Sequence, residues 1–117
     1  MSDGFRLQPR LKAGIWVKAW LRRTQVEGAF AAVVHKGDED AGAVIIVINY
    51  LDGTAMALGQ ATQLDGSRGW RRLLGADPVP EREVSALIVR ERSRDRDIWV
   101  VEVEDRQGRA FIDEVIL

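Results

Sequence analysis

A chain of 117 residues, 46% hydrophobic and 30% charged, has the length and composition of one globular domain with a single core. It contains no cysteine, which excludes disulfide frameworks, thiolate metal sites and cysteine nucleophiles. The net charge of −1 excludes a global attraction to nucleic acid, and the longest aliphatic run, residues 43–48, is far too short to span a membrane. We therefore expect one cytoplasmic domain over residues 1–117, without a membrane partner.

The first predicted element is a helix over residues 12–26. Ile15 and Ala19 lie four residues apart, as do Trp16 and Trp20, and a glycine follows the segment as a stop. A strand is the alternative, because apolar residues also alternate at the odd positions from 15 to 21. The length of the segment favours the helix.

Three strands are predicted next, over residues 29–35, 43–50 and 54–59. The segment 43–50, AVIIVINY, is a nearly unbroken β-branched run, which is typical of a strand buried on both faces. We therefore expect it at the centre of a sheet. Asp52 and Gly53 predict a two-residue type I′ turn before the third strand, because both positions of that turn need positive φ.

A second helix is predicted to begin behind Pro78 and Pro80 and to end near Arg94. Its first turn is acidic and its last turn basic, which complements the helix dipole. Two final strands, residues 97–104 and 109–115, are expected to form a hairpin. The order α-β-β-β-α-β-β predicts an α+β fold with a mainly antiparallel, five-stranded sheet and both helices packed on it.

The expected core consists of the strongest apolar positions of these strands. They are Ile45, Ile46, Val47, Ile48, Leu58, Trp99, Val101 and Phe111. Two helices are too few to cover a sheet whose central strand is apolar on both faces. One face should therefore stay uncovered and favour association, so we expect a homodimer or contact with another protein.

The segment HKGDEDAG, residues 35–42, combines the only histidine with three consecutive acids and raises the question of a metal site. Calcium needs oxygen ligands at defined spacing and a later bidentate glutamate, and only Asp38, Asp40 and Gly42 match that pattern. Zinc would need further ligands beside His35. The pattern favours an acidic loop between two strands, and no metal is expected.

A basic segment, DGSRGWRR at residues 65–72, offers the strongest candidate for ligand binding. Amides freed by glycine and guanidinium groups can hold a phosphate, and an exposed tryptophan can stack on a base. The candidate residues are Ser67, Arg68, Trp70, Arg71 and Arg72, together with Arg22 and Arg23 of the first helix. They support weak binding of RNA or a phosphate-bearing ligand as an alternative function. The simpler interpretation is a connecting loop whose tryptophan packs on the core.

No catalytic residues and no cofactor are predicted. The serines have only His35 as a possible base, and the sequence lacks a Gly-x-Ser-x-Gly elbow. Glu102 and Glu104 share one strand face, which is also the pattern of a strand exposed to solvent. These observations favour a non-enzymatic interaction or accessory module acting as a homodimer.

Four segments carry a resemblance to a known family. They are RLKAGIWVKA (10–19), GAFAAVV (28–34), KGDEDAGA (36–43) and DIWVVEVEDR (97–106). With them the chain resembles, over nearly its whole length, a family of short bacterial proteins of unknown function found chiefly in alphaproteobacteria. The resemblance implies a stand-alone cytoplasmic protein. It implies no activity, cofactor or catalytic residue.

Overall fold

The computed structural model describes residues 11–117, and in this part of the chain two helices enclose a mixed sheet of seven strands. In chain order the elements are α1 (Ala13–Val26), β1 (Phe30–His35), β2 (Val44–Asn49), β3 (Thr54–Thr62), β4 (Arg68–Arg72), β5 (Val79–Pro80), α2 (Glu81–Arg94), β6 (Trp99–Glu104) and β7 (Val115–Ile116). The strands lie side by side in the order β1-β6-β2-β3-β4-β7, and β5 pairs with β3 outside this path. The β6/β2 and β4/β7 pairs are parallel and the other pairs are antiparallel. The α+β class and the mainly antiparallel sheet are thus confirmed.

The first helix is defined by residues at helical spacing on one side of α1. Ala13, Val17, Trp20 and Thr24 are buried there, which confirms the helix over the strand alternative. Ile15, which the sequence analysis placed on the apolar stripe, is instead 53% exposed. The buried side follows positions 13, 17, 20 and 24, and this periodicity turns position 15 toward solvent.

The sheet has two strands that the sequence analysis did not predict, so the expected count of five is wrong. One is β4, which lies where a loop was expected and pairs with β3. The other is β5, a two-residue strand just before α2. The sequence of β4, RGWRR, contains one large apolar side chain, so neither alternation nor β-branching marks it as a strand. Within the predicted strand 109–115, only its last residue belongs to a strand, β7.

The position of β6 contradicts the predicted final hairpin. This strand lies between β1 and β2, antiparallel to the first and parallel to the second. The chain then crosses to the opposite edge of the sheet, where β7 pairs with β4. The burial of β2 explains this position of β6. Since β2 is buried along nearly its whole length, it needs a neighbour on each side, and the apolar β6 satisfies that need better than a hairpin partner would.

The hairpin between β2 and β3 is confirmed, but its turn is not the predicted two-residue type I′ turn. Positive φ occurs at Leu51 (63°) and Gly53 (90°), whereas that turn needs it at Asp52 and Gly53. The carboxylate of Asp52 instead accepts hydrogen bonds from the amide and the hydroxyl of Thr54, at 2.9 and 2.6 Å. The connection is therefore longer than two residues.

All eight predicted core residues are buried. They are divided between two cores, because successive side chains of β2 point to opposite faces: Ile46 and Ile48 toward α1, Ile45 and Val47 toward α2. Each helix thus packs on one face of the sheet, so the expectation that one whole face would stay uncovered is wrong. However, α2 packs toward β3 and β5, and this offset leaves β1 beyond the cover of α2.

Candidate interaction surface

The first feature of the candidate surface is the edge strand β1. Its sequence, FAAVVH, contains no lysine, arginine, acidic residue or proline, although such residues commonly protect an edge from further pairing. Within residues 11–117 its strand partner is β6, and one bulge interrupts the register between Val33 and His35. The outer edge of β1 can therefore offer backbone amides and carbonyls to another strand.

Three exposed residues of β1, Phe30, Ala32 and Val34, are called the β1 strip below. Ala32 lies opposite Glu102, and Glu102 lies opposite Val47 of the α2-side core. Strand alternation therefore directs Phe30 and Ala32 to this face, and Val34 is the additional residue at the bulge between Val33 and His35. Phe30 is 67% exposed and Val34 is 48% exposed. Two large apolar side chains thus stand in solvent on an uncharged edge.

One side of α2 borders this region of the sheet. The side-chain amide of Asn49 donates to Glu81 at the start of α2 (3.2 Å) and to Glu102 of β6 (3.4 Å), so this side of the helix faces β6. Helical periodicity places Arg92 on the same side as Glu81. Val89 is 69% exposed. The helix therefore exposes an apolar side chain of its own.

Charged residues lie at both ends of this region of the sheet. Arg92 and Arg96 line an open depression of about 420 Å³ at the C-terminal end of α2. The buried Nε of Arg92 has no hydrogen-bond partner within the described part of the chain. Glu102 and Glu104 lie toward the other end, because β6 starts near the end of α2 and runs away from it. Both ends carry charges of both signs, because Asp95 and Asp97 flank Arg96, and Arg106 and Arg109 lie beside Glu104.

Trp70, the proposed base-stacking residue of the basic segment, is only 2% exposed. Its ring packs in the α1-side core, 5.5 Å from the ring of Trp16, and its indole N–H donates to Glu114 at 3.2 Å. The interpretation that this tryptophan packs on the core is confirmed. The stacking role needs an exposed ring, and the structure does not provide one.

The arginines of β4 are divided between the two faces of the sheet. Arg68 and Arg72 share the face of Trp70, whereas Arg71 lies opposite Gly59 and points to the other face. A guanidinium N–H of Arg72 donates to the carbonyl of Leu117 at 3.0 Å. The three guanidinium groups therefore do not converge on one site.

The other predicted ligand residues also lie apart. The hydroxyl of Ser67 donates to Asp65 at 2.6 Å, and this hydrogen bond lowers the pKa of the Asp65 carboxyl. Arg23 donates to Asp113 at 2.9 Å, and Arg22 is exposed on α1. The structure thus places the seven residues in several separate contacts.

The acidic segment 35–42 has a structural role that the sequence analysis missed. The carbonyl of Glu39 accepts a hydrogen bond from the amide of Gly14 (2.9 Å), at the start of α1. That helix has no side-chain cap, and an acidic loop at its N-terminus complements the helix dipole. The indole of Trp99 donates to the carbonyl of Asp38 (2.7 Å), which fixes the loop to β6.

The acids of this segment are also engaged with nearby partners. Asp38 accepts two backbone amides, including that of Ala41 at 2.8 Å, and Glu39 lies 3.3 Å from Lys36. Among the described residues, no group of three or more His, Cys, Asp or Glu side chains is placed to hold a metal ion. The geometry of the loop is therefore that of a helix cap.

An ion pair between the buried Asp105 and the half-exposed Arg109, also missed by the sequence analysis, closes the loop after β6. Asp105 accepts hydrogen bonds from the backbone amide of Arg109 (2.6 Å) and from its guanidinium (3.0 and 3.1 Å). The guanidinium lies 4.9 Å above the ring of Phe111. The hydrogen bonds from Arg109 hold the pKa of Asp105 below its ordinary value. The signal in the sequence was an Asp four residues before an Arg.

The fold and this surface define a small α+β domain with an exposed apolar edge strand beside a helix. No helix of the described residues is both long and apolar enough to cross a membrane. A family model, described as a protein of unknown function (DUF1491), matches residues 11–113. The chain belongs to this family, which confirms the resemblance seen in the sequence. No curated protein matches the chain.

Solved structures of relatives have the same fold. A crystal structure of a DUF1491 family protein from Caulobacter crescentus is 41% identical, with a TM-score of 0.83 over 92% of this chain and 100% of that one. An NMR structure of a DUF1491 family protein from the same organism is 40% identical (TM-score 0.80; 94% and 99% covered). A solution structure of a protein from A. tumefaciens is 35% identical (TM-score 0.75; 89% and 93% covered). These sources agree with the alphaproteobacterial range.

Proposed function

We propose that this protein is a small, non-enzymatic interaction module that acts as a homodimer through the β1 strip. The observation that carries the proposal is the exposure of Phe30 and Val34 on an uncharged edge strand. Single exposed apolar residues are common on protein surfaces. A row of apolar side chains along an unprotected strand edge is uncommon, because it favours pairing with another chain.

Burial of this surface provides the driving force. Removal of apolar area from water contributes about 25 cal/mol per Å², and the backbone groups of an edge strand add directional hydrogen bonds. The interaction therefore needs no bound ligand.

The alternative, binding of RNA or a phosphate-bearing ligand, has less support. It was motivated by an exposed tryptophan beside clustered arginines, but Trp70 is buried and Arg71 faces away from Arg72.

The proposed module is non-enzymatic because the chain offers few groups for catalysis. His35 is its single histidine and therefore the only conventional base that could activate a serine nucleophile. We further propose a cytoplasmic location, where a chain without cysteine needs no oxidising conditions to fold.

The test is the molar mass in solution, measured by light scattering at micromolar concentration. We expect twice the monomer mass of 13.1 kDa for the natural sequence. A Phe30→Asp variant should give the monomer mass with little change in melting temperature, because residue 30 is exposed. Leu64→Asp, at an exposed residue far from β1 in the sheet, is the control and should remain dimeric. A monomeric natural protein at this concentration would overturn the proposal.

A further inference from the structure

We infer that the depression at the C-terminal end of α2 binds a phosphate monoester, with the guanidinium groups of Arg92 and Arg96 on the phosphoryl oxygens. The depression is lined by Val89, Arg92, Ser93 and Arg96, which lie three or four residues apart on one side of α2 and of the turn that follows it. The site uses no residue of β1 and is therefore independent of the proposed homodimer.

The first observation is an unpaired donor on Arg92. Its Nε is buried, and no described residue accepts a hydrogen bond from it. A buried donor without an acceptor costs free energy, and the cost is larger on a charged group. Arg92 lies in the last turn of α2 and complements the helix dipole, but this role needs only a charge near the helix end and does not explain why Nε is buried. An anionic oxygen bound at Arg92 would supply the missing acceptor.

The second observation is the positive charge of the depression. Two of its four lining residues are arginines, and none is acidic. The acidic neighbours have other partners, since Glu91 lies 3.4 Å from Arg94 and the carboxylate of Asp95 accepts a backbone amide at 2.9 Å. Neither Arg92 nor Arg96 forms an ion pair with any residue of the described range 11–117. The depression therefore presents two unpaired positive charges.

These charges and donors favour a phosphoryl group. A guanidinium carries its N–H donors in a planar fork that matches the oxygens of phosphate and carboxylate groups. A phosphate monoester carries about −1.5 to −2 charges at pH 7 and so balances two arginines, whereas a carboxylate balances one. The hydroxyl of Ser93 donates to the carbonyl of Arg90 at 2.7 Å, so the two arginines supply the donors of the site.

The size and the apolar part of the depression indicate a phosphate that carries an organic group. A volume of about 420 Å³ lies in the range of small-molecule sites and exceeds what one phosphoryl group fills. Val89, which is 69% exposed, is the apolar part of the lining. An apolar substituent on the phosphate would cover this side chain and remove it from water.

An NMR titration with phenyl phosphate tests the site, because the Nε–H of Arg92 gives its own signal in a proton–nitrogen correlation spectrum. At about 0.15 M salt, which screens weak surface attraction, we expect saturable shifts of that signal and of the backbone amides of residues 89–96. Inorganic phosphate should shift the same signals with lower affinity, because it lacks the apolar group. Benzoate has the ring but only one carboxylate, and it should bind at least about tenfold more weakly than phenyl phosphate.

Substitutions in this part of the chain separate a defined site from general positive charge. Arg92→Gln and Arg96→Gln should each weaken binding of phenyl phosphate by about tenfold or more, because each removes charge-assisted hydrogen bonds. Arg92→Lys keeps the charge but loses the fork, so it should also bind more weakly than the natural protein. Arg90→Gln is the matched control, since Arg90 is exposed on the same helix but outside the depression, and its effect should stay below about twofold. Circular dichroism should show all four variants folded.

Three results would contradict the phosphate site. One is the absence of shifts at about 10 mM phenyl phosphate, which is tenfold above the Kd of a weak, millimolar site. Another is an equal loss of affinity in Arg90→Gln and Arg92→Gln, which would assign the binding to general charge. The third is benzoate binding as tightly as phenyl phosphate, which would make the depression a carboxylate site. Saturable binding that is weakened by Arg92→Gln and Arg96→Gln, and retained by Arg90→Gln, supports the inference.

Discussion

Asp105 shows how one side chain holds the end of the sheet. Its backbone amide donates to the carbonyl of Asn49 (2.9 Å), while its carboxylate binds the amide and guanidinium of Arg109. A buried carboxylate is costly unless it is paired and hydrogen-bonded, and here both conditions hold. This residue therefore links the end of β6 to β2 and orders the chain toward Phe111, whose φ is positive (58°).

We predict that Asp105→Asn lowers the free energy of unfolding by about 1–3 kcal/mol at pH 7, because it removes a charged acceptor from a buried site. The pKa of Asp105 is lower in the folded protein than its ordinary value of 3.8, chiefly through the hydrogen bond with Arg109. A depressed folded pKa means that the carboxylate stabilises the fold above the unfolded pKa. This contribution is lost as the pH falls through the folded pKa.

Urea unfolding at several pH values provides the measurement. The gap between the natural protein and Asp105→Asn should be constant near neutral pH and should narrow below about pH 4. Asp77→Asn, at an exposed residue, should track the natural protein throughout. A gap that stays the same at low pH would show that the charge of Asp105 does not contribute.

At the same scale, residue type alone predicted burial well for the β-branched run at 45–48, whereas the burial of Trp70 was only the simpler of two interpretations. The run at 45–48 consists of isoleucine and valine, whose side chains are unfavourable in water, so its burial followed from composition. Trp70 is flanked by glycine and arginines, and such neighbours occur both in loops and in exposed strands. Its burial depends on the distant Trp16 and Glu114, which no local pattern shows.

At the scale of elements, the acidic segment 35–42 joins three parts of the fold. It caps the start of α1, accepts the indole hydrogen bond of Trp99 and pairs with the loop before β6 through the amide of Asp38 and the carbonyl of Asp97. Such close approach requires glycine. A Cβ on Gly37 or Gly42 would overlap the backbone carbonyl of Asp97.

We predict that Gly37→Ala destabilises the protein by about 1–3 kcal/mol, the usual cost of overpacking, because the obstructing atom belongs to the backbone and cannot rotate away. Lys36→Ala, one residue earlier and exposed, should change stability by less than about 0.5 kcal/mol. Chemical denaturation of both variants provides the comparison. Equal stability of the two would show that the loop can move off β6 at no cost.

The sequence predicted the helices and strands that local periodicity defines, but it did not predict which strands pair with each other. Both helices, β2 and β6 follow from their own residues. The placement of β6 between β1 and β2 does not, because it depends on the need of β2 for two neighbours. The candidate β1 strip was likewise invisible, since its exposure results from the offset of α2 toward β3.

At the scale of the whole molecule, one sheet separates two cores, and each core has one helix as its cover. One helix is about 10 Å wide and covers roughly two strands, whose spacing is about 4.8 Å. In a wide sheet a single helix per face therefore leaves strands uncovered. On the α2 face β1 is one of the uncovered strands, and its exposed apolar side chains form the surface proposed for the homodimer.

Hydrogen exchange should show this arrangement without any substitution. The amides of β2 are protected within each copy by β3 and β6, so they should exchange slowly at every protein concentration. The amides of β1 that point away from β6 gain a partner only in the proposed dimer. By mass action their protection should rise as concentration passes through the dissociation constant of the dimer. Residue-resolved exchange by NMR across that range is the measurement. If the rise falls on another segment, such as the exposed side of α1, the dimer forms elsewhere.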